Sequence, residues 1–272
     1  MTDRFTAAGL AAAVAVGRRL GLPHDDPQVL ATKANVLVRM GPVVARVPAT
    51  TLLARADTAQ RLACDVILST FLADRGAPVV APWEDPGPHF ANGLPVTLWP
   101  FTRHDPGHRF TPAEVAAALA ELHGPLREFP GKLPTGPVTE VRRWLDRLDG
   151  DVPVARLREI LDELVLEGPV QALHGDAHVG NLLATPAGPR WLDFEDTCRG
   201  PLGWDLACLA LSGRVDGRAA VAAYPGEMPD LAPFLTLRSL LAVCWRFVVA
   251  RRFPERLGEA HAALAEFVGT SG

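Results

Sequence analysis

Three side chains in the second half of the chain have the types and spacing for moving a phosphoryl group. They are Asp176 in His174-Gly175-Asp176, Asn181 five residues later, and Asp193 twelve residues after that. Such a transfer needs a carboxylate beside the acceptor hydroxyl, oxygen ligands for Mg2+, and cationic or backbone donors along the phosphates. Asp176 could orient and deprotonate the hydroxyl. The amide oxygen of Asn181 could ligate metal, and Asp193, in Trp191-Leu192-Asp193-Phe194-Glu195, could bridge metal to phosphate. Magnesium uses few protein oxygens and keeps waters, so two such ligands suffice.

These residues need elements to hold them. An amphipathic helix is expected around residues 7–16, followed by a β meander over 28–32, 35–40 and 43–47, with turns at Lys33-Ala34 and Gly41-Pro42. Residues 54–74 show helical periodicity, with Leu62, Val66, Ile67 and Phe71 near one face. Short strands are expected at 78–80 and 96–99, separated by the Gly/Pro-containing stretch 84–93. From Thr111-Pro112-Ala113-Glu114, a helix-start pattern, the chain turns mostly helical, with helices near 111–123, 138–149, 154–167, 203–212, 217–224, 231–252 and 255–268. Brief β segments at 170–173, 182–184 and 190–192 frame the charged residues. The pattern predicts a small α+β lobe over 1–100 and a larger, mostly helical lobe over 101–272, hinged at 98–104.

The stretch from Gln171 to Leu183 resembles the aminoglycoside phosphotransferase and choline kinase-like enzymes, small-molecule kinases with a bilobal protein-kinase-like fold. Their loop runs His-Gly-Asp-x-x-x-x-Asn and precedes an Asp-Phe-Glu or Asp-Phe-Gly-like metal turn. This chain differs from the commonest form of the loop at Ala177 and Val179. The run Arg199-Gly200-Pro201 and then Trp204-Asp205-Leu206 is also similar, so the resemblance covers about residues 28–210. It implies Asp176 as catalytic base, Asn181 and Asp193 as Mg2+ ligands, and ATP, or GTP in its place, as donor. In the first lobe, counting eleven residues back from Gly76 of Gly76-Ala77-Pro78-Val79 reaches Asp65, where the family carries an acid that holds a third-strand lysine. Here that strand offers Arg46, which can contact phosphate bidentately. The usual loop glycines are missing from Thr32-Lys33-Ala34-Asn35, and Lys33 is a second candidate for the phosphates, ranked behind Arg46. Leu98-Trp99-Pro100-Phe101 is similar to the linker whose backbone pairs with the adenine edge. Pro100 removes one donor there. Trp99 and Phe101 either wall the purine or pack as core.

Plainer roles compete for several residues. His174 reads as a loop brace, His178 as a surface or loop-packing side chain, and Asp205 as a helix cap or loop brace. Glu195 and Asp196 serve substrate amines or solvate the turn. The acids Glu159, Asp162, Glu163 and Glu167 form a solvated helix face.

Whole-chain properties narrow the partners. The 272 residues are 48% hydrophobic and 21% charged, a composition for a compact globular chain. A net charge of −4 argues against a nucleic-acid partner. Residues 1–101 carry nine basic against eight acidic residues and residues 102–272 carry eighteen against twenty-three, so the acidity lies in the second part. That favours a cationic acceptor. Cys64, Cys198, Cys208 and Cys244 lack metal or disulfide spacing and read as buried free thiols. Residues 7–16 lack a signal-peptide pattern, and 240–250, broken by Arg246, is too short to span a bilayer. The expectation is a cytoplasmic protein without a membrane partner. The leading reading is a kinase of a small hydroxylated molecule, foremost an aminoglycoside or other antibiotic, which would make it a resistance enzyme. The alternatives are a metabolite kinase acting on a sugar, homoserine or an amino alcohol, and a nucleotide-binding pseudokinase.

Overall fold

The computed structural model describes residues 3–148 and 152–270. Helix α1 (Arg4–Arg19) starts where the Asp3 carboxylate accepts from the Phe5 and Thr6 amides. It buries Ala12, Ala13 and Val16 against a sheet made of β1 (Gln28–Thr32), β2 (Asn35–Met40), β3 (Val43–Pro48), β4 (His89–Ala91) and β5 (Leu94–Pro100). Small residues let the helix lie this close. A Cβ at Gly9 would sit 2.9 Å from Val36, and one at Gly17 would sit 2.8 Å from the Met40 sulfur. The sheet is antiparallel, ordered β1-β2-β3-β5-β4, and Val38, Met40, Val43, Ala45 and Val47 are fully buried.

Between β3 and β4 lie α2 (Thr51–Ala54) and α3 (Thr58–Asp74). The expected single helix over 54–74 therefore begins later, because Arg55 is extended. Its buried stripe also differs from the expected one. Leu62, Asp65, Val66, Leu68, Ser69 and Leu72 face inward, while Ile67 is 59% exposed. Turning Asp65 toward β3 fixes the rotation of the helix, and Ile67 falls on the opposite side. Residues 78–80 form no extended strand. Val79 makes a single parallel bridge to Trp191, and the Val80 amide donates to the Trp191 carbonyl at 2.9 Å.

Next come α4 (Pro112–Glu128), α5 (Pro137–Leu145), α6 (Val154–Glu163) and β6 (Val170–Leu173). Thr111 and Glu114 close a reciprocal capping box at the start of α4. Helix α5 stops at Leu145, short of the expected 149, which lies outside the described residues. Helix α6 stops at Glu163, four residues before the expected end. A hairpin of β7 (Leu182–Thr185) and β8 (Gly188–Trp191) follows, then β9 (Cys198–Pro201), which pairs antiparallel with β6. The β9 strand was not expected from the sequence. The chain ends in α7 (Gly203–Ala210), α8 (Gly217–Ala222), α9 (Ala232–Arg252) and α10 (Leu257–Thr270). The 21-residue α9 lies where a helix was expected over 231–252 and is long and apolar enough to cross a membrane by length and composition, a test that buried core helices also pass. It packs on α5, α7 and α10 and buries Phe234, Leu237, Leu240, Cys244 and Phe247.

Two compact units result, Met1–His108 with Leu182–Glu195, and Arg109–Asn181 with Asp196–Gly272. The boundary expected near residue 100 falls at 108. Segment 182–195, expected in the second lobe, belongs to the first unit. Its hairpin supplies Trp191, which is fully buried there.

Candidate active site

In the first unit, β3 presents Arg46 and α3 presents Asp65. The segment after β8 adds Asp193 and Glu195 to the same cluster. Arg46 Nη1 meets Asp65 Oδ2 at 2.6 Å, and Nη2 lies 2.6 Å from both Asp193 Oδ1 and Glu195 Oε2. Arg46 and Asp65 are almost sealed, with side chains 6% and 0% exposed. Burial disfavours the guanidinium charge, but the three carboxylates outweigh it and hold Arg46 charged well above its ordinary range. Asp65 Oδ1 also accepts from Ser69 Oγ at 3.2 Å and from the Phe194 amide at 3.3 Å, which ties the turn to α3. Asp193 has φ +70, a left-handed conformation uncommon outside glycine that short polar residues tolerate at functional turns. Arg46 Nε is buried without a partner.

Glu195 neither solvates the turn nor stands free for a substrate amine. It is buried on Arg46 and takes the Asn35 amide at 3.4 Å. Lys33 lies exposed in the β1–β2 turn, where its carbonyl accepts from Thr50. Trp99 is buried with Val66 and Val80, beside Leu183 and Leu192, and its Nε1 donates to Thr97. Phe101 lies 3.6 Å from the Arg39 guanidinium, ring against cation. Along the linker, Leu98 bonds Pro86 and Trp83 on the edge away from β3, while the Phe101 amide donates to Pro42 on the other edge. Strand alternation puts Pro100 on the Leu98 side, where its carbonyl accepts from Thr102 Oγ1 at 3.3 Å.

In the second unit the segment 174–181 is a tight loop ending in a 3-10 turn, Val179–Asn181. Asp205, in the first turn of α7 and fully buried, accepts from the His174 amide at 2.8 Å and the Gly175 amide at 2.9 Å. Its role is loop bracing. His123 of α4 lies behind it, with Nε2 3.0 Å from Asp205 and Nδ1 2.8 Å from the Tyr224 hydroxyl. Trp204 Nε1 donates to the Gly175 carbonyl at 2.8 Å. Gly175 has φ +90, and a Cβ there would stand 1.9 Å from the Asp196 carbonyl oxygen, so only glycine fits.

The braced loop holds Asp176 among donors. Arg238 Nη2 of α9 meets its Oδ1 at 2.6 Å. Its Oδ2 lies 3.2 Å from His178 Nε2 and 3.4 Å from Asn181 Nδ2. Because His178 Nδ1 accepts from the Gly180 amide, the Nε2 nitrogen carries the proton and donates to Asp176. Burial raises the Asp176 carboxyl, but Arg238 and then His178 more than reverse this and hold it well below the usual carboxylate range. Asn181 Nδ2 also donates to the Asp176 carbonyl at 3.0 Å. That fixes the amide nitrogen on Asp176 and leaves the oxygen to accept.

Sequence reasoning missed Arg238, His123 and Tyr224, which lie 62, 53 and 48 residues from Asp176 with no spacing to connect them. The four cysteines are free thiols, and Cys64 is only partly buried. Among the described residues no group of three or more His, Cys, Asp or Glu is placed to hold a metal by itself.

A family model described as APH, phosphotransferase enzyme family, matches residues 31–228. No curated protein sequence matches the chain. Among solved structures, the amicoumacin kinase hAmiN in complex with AMP-PNP, Ca2+ and Ami is similar at 15% identity and TM-score 0.67, over 95% of this chain and 92% of that one. A choline/ethanolamine kinase family protein from Mesorhizobium loti is similar at 16% identity and TM-score 0.62, over 94% of each chain. The macrolide 2'-phosphotransferase MphH from Brachybacterium faecium gives 18% identity and TM-score 0.58, over 93% of this chain and 97% of that one. At these identities the likeness is one of fold.

Proposed function

Because the chain belongs to the phosphotransferase enzyme family and has the α+β fold of the protein-kinase-like small-molecule kinases, we propose that it transfers the γ-phosphoryl group of ATP to a hydroxyl of a small molecule. The observation that carries this reading is the braced loop. Asp205 holds two loop amides, and Asp176 is thereby presented as an ionised, partly exposed carboxylate, 23% accessible. In the reaction the acceptor oxygen forms a bond to the γ-phosphorus, the bond from that phosphorus to the ADP oxygen breaks, and the hydroxyl proton passes to Asp176. A carboxylate of low basicity suits a transition state in which the hydroxyl is positioned first and deprotonated late.

Asn181 and Asp193 are the proposed magnesium ligands. The donor chemistry fits a hard cation. Asn181 has its amide turned so that oxygen is free, and Asp193 contributes a carboxylate whose Oδ1 Arg46 holds in place. When bound, magnesium would neutralise charge on the transferring phosphates. Arg46 positions Asp193 and is the proposed cation on the donor-phosphate side, acting through its charge and through that carboxylate because its own nitrogens are sealed, ahead of the exposed Lys33. The linker suits adenine, since the Pro100 carbonyl is an acceptor on the strand edge away from β3 and matches the amino group of that base. The N–H that proline lacks falls where only an acceptor is needed. Trp99 walls the base region from the core side, and Phe101, covered by Arg39, lies on the opposite edge of the strand.

The acceptor is a hydroxylated antibiotic or a hydroxylated metabolite. Acidity in residues 102–272 favours a cationic molecule, whereas Arg238 beside Asp176 opposes positive charge at the reacting end. Incubation with ATP and magnesium against a panel of antibiotics, sugars, amino alcohols and hydroxy acids, read by mass spectrometry, tests the reading. Product should appear with at least one class, and Asp176→Asn should lower turnover by ~10²–10⁴-fold with the ATP affinity retained. Binding of ATP without transfer to any acceptor would make the protein a nucleotide-binding module instead.

A further inference from the structure

Arg238 has no part in the reaction described above, yet it touches the proposed base. Its contacts separate two uses of a buried arginine. In the first unit Arg46 is sealed, and both its terminal nitrogens are committed to carboxylates. Arg238 is open to solvent, with its side chain 19% exposed beside an Asp176 that is 23% exposed. Of its five N–H donors, one meets a protein acceptor among the described residues, Nη2 on Asp176 Oδ1. The guanidinium carbon stands 5.9 Å from the centroid of the Trp204 ring, which is itself pinned by its bond to the Gly175 carbonyl, and the Asp176 contact holds the group while its other donors stay available.

Orienting Asp176 is not reason enough for this arginine. His178 and Asn181 already fix the other oxygen of the carboxylate, and a permanent cation at the base lowers its basicity. A held guanidinium with free, solvent-reachable donors is a site for an oxyanion. The neighbours select which one. Asp176 stands 2.6 Å from the Arg238 guanidinium, so a monoanionic carboxylate meets less repulsion there than a dianionic phosphate.

Resting on the phosphotransferase reading, we infer that Arg238 anchors a carboxylate of the acceptor, making the preferred substrate a small hydroxyl-bearing carboxylic acid. One guanidinium edge stays on Asp176 and the other takes the acceptor carboxylate. The acceptor hydroxyl is then delivered to Asp176 from a position a few bonds away. Amino groups farther along such a molecule are compatible with the acidity of residues 102–272. A polycation without a carboxylate has no group for Arg238.

The test uses matched pairs that differ only at the carboxyl group, L-homoserine, L-serine and D-glycerate against their primary amides, with kanamycin and choline as cationic comparators. The wild type should favour acids over amides by at least ~10-fold in kcat/KM, as a site built for one polar group rejects an analogue lacking it. Arg238→Met should raise the KM for the acid ~10-fold or more while the KM for ATP and the KM for the amide stay within about twofold, since any effect passed through Asp176 falls on kcat with acid and amide alike. Arg238→Lys should recover part of the difference. A merely structural arginine would change kcat for acid and amide alike with no acid-specific rise in KM, and that result, or a preference for the amides, kanamycin or choline, overturns the inference. If nothing in the panel is phosphorylated, the phosphotransferase reading is what fails, and calorimetry still decides the inference. Acids should then bind and amides not, and Asp176→Asn should bind acids several-fold tighter because it releases the guanidinium. Equal binding of acid and amide overturns it.

Discussion

Arg46 is surrounded by more negative charge than it carries. Asp65, Asp193 and Glu195 each stand 2.6 Å from its terminal nitrogens, and their summed charge exceeds that of the guanidinium by two. An ammonium in its place would be a single point unable to span three carboxylates on two elements, so arginine matches this wider acidic shell. Removing the cation would strand Asp65 at zero exposure. Arg46→Met is therefore expected to cost about 3–5 kcal/mol of folding stability, the usual loss when one partner of a buried ion pair is deleted. Urea unfolding of wild type and variant measures it. Arg46→Lys should fall between them, since it keeps the charge and loses one direction of contact. A loss below about 1 kcal/mol for Arg46→Met would mean that the three acids have other support.

The loop 174–181 owes its shape to helices distant in sequence. Asp205 on α7 receives two loop amides on its two oxygens, and His123 on α4 backs it. Asp205→Asn keeps the size and loses the symmetry, because an amide offers one acceptor and turns N–H groups toward N–H groups. The expected result is a stability loss of about 3 kcal/mol, with turnover falling even at saturating substrates, read by thermal unfolding and steady-state kinetics. This loop also shows what was legible in the sequence. Asp176, Asn181 and Asp193 lie close together along the chain, so their spacing could be read directly, as could the strands of the meander with their turn residues. Asp65 was reached by counting, and it does face Arg46. Arg238 could not be found that way. It lies on an apolar helix whose pattern announces only core packing, and its pairing with Asp176 is a product of tertiary folding. The strand β9 was hidden for a different reason. Cys198-Arg199-Gly200-Pro201 has low strand propensity, and the segment is extended because β6 supplies its partner backbone. Glu195 read as a turn residue because the Arg46 that buries it is 149 positions away.

At the scale of the whole molecule, the two units are not consecutive stretches of chain. The first takes residues 1–108 and then recruits 182–195, the hairpin that ends in Asp193 and Glu195. That hairpin is part of the core of the unit it joins. Trp191 is fully buried and exchanges backbone hydrogen bonds with Pro78 and Val80, Leu183 and Leu192 pack with Trp99, and the Asp105 amide donates to Ala184. Without it, Arg46 keeps Asp65 and loses both other carboxylates. A fragment of residues 1–108 should therefore fail to unfold cooperatively, since it lacks a buried tryptophan whose loss alone costs roughly 3–5 kcal/mol, a large share of the stability of a small domain. Because Asp105 and Ala184 are hydrogen-bonded, a short Gly/Ser linker from residue 108 to residue 182 can reconnect the pieces, and the fragment 1–108 joined to 182–195 should regain a sigmoidal thermal transition by circular dichroism. A cooperative transition for 1–108 alone would show that the hairpin is an attachment and not part of the core. The proposed metal ligand Asp193 thus sits on a segment whose folding belongs to the first unit, while Asp176 and Asn181 belong to the second. A mutation in the hairpin core, such as at Trp191, should then disturb the Arg46 cluster before it disturbs the loop that carries Asp176, the proposed base.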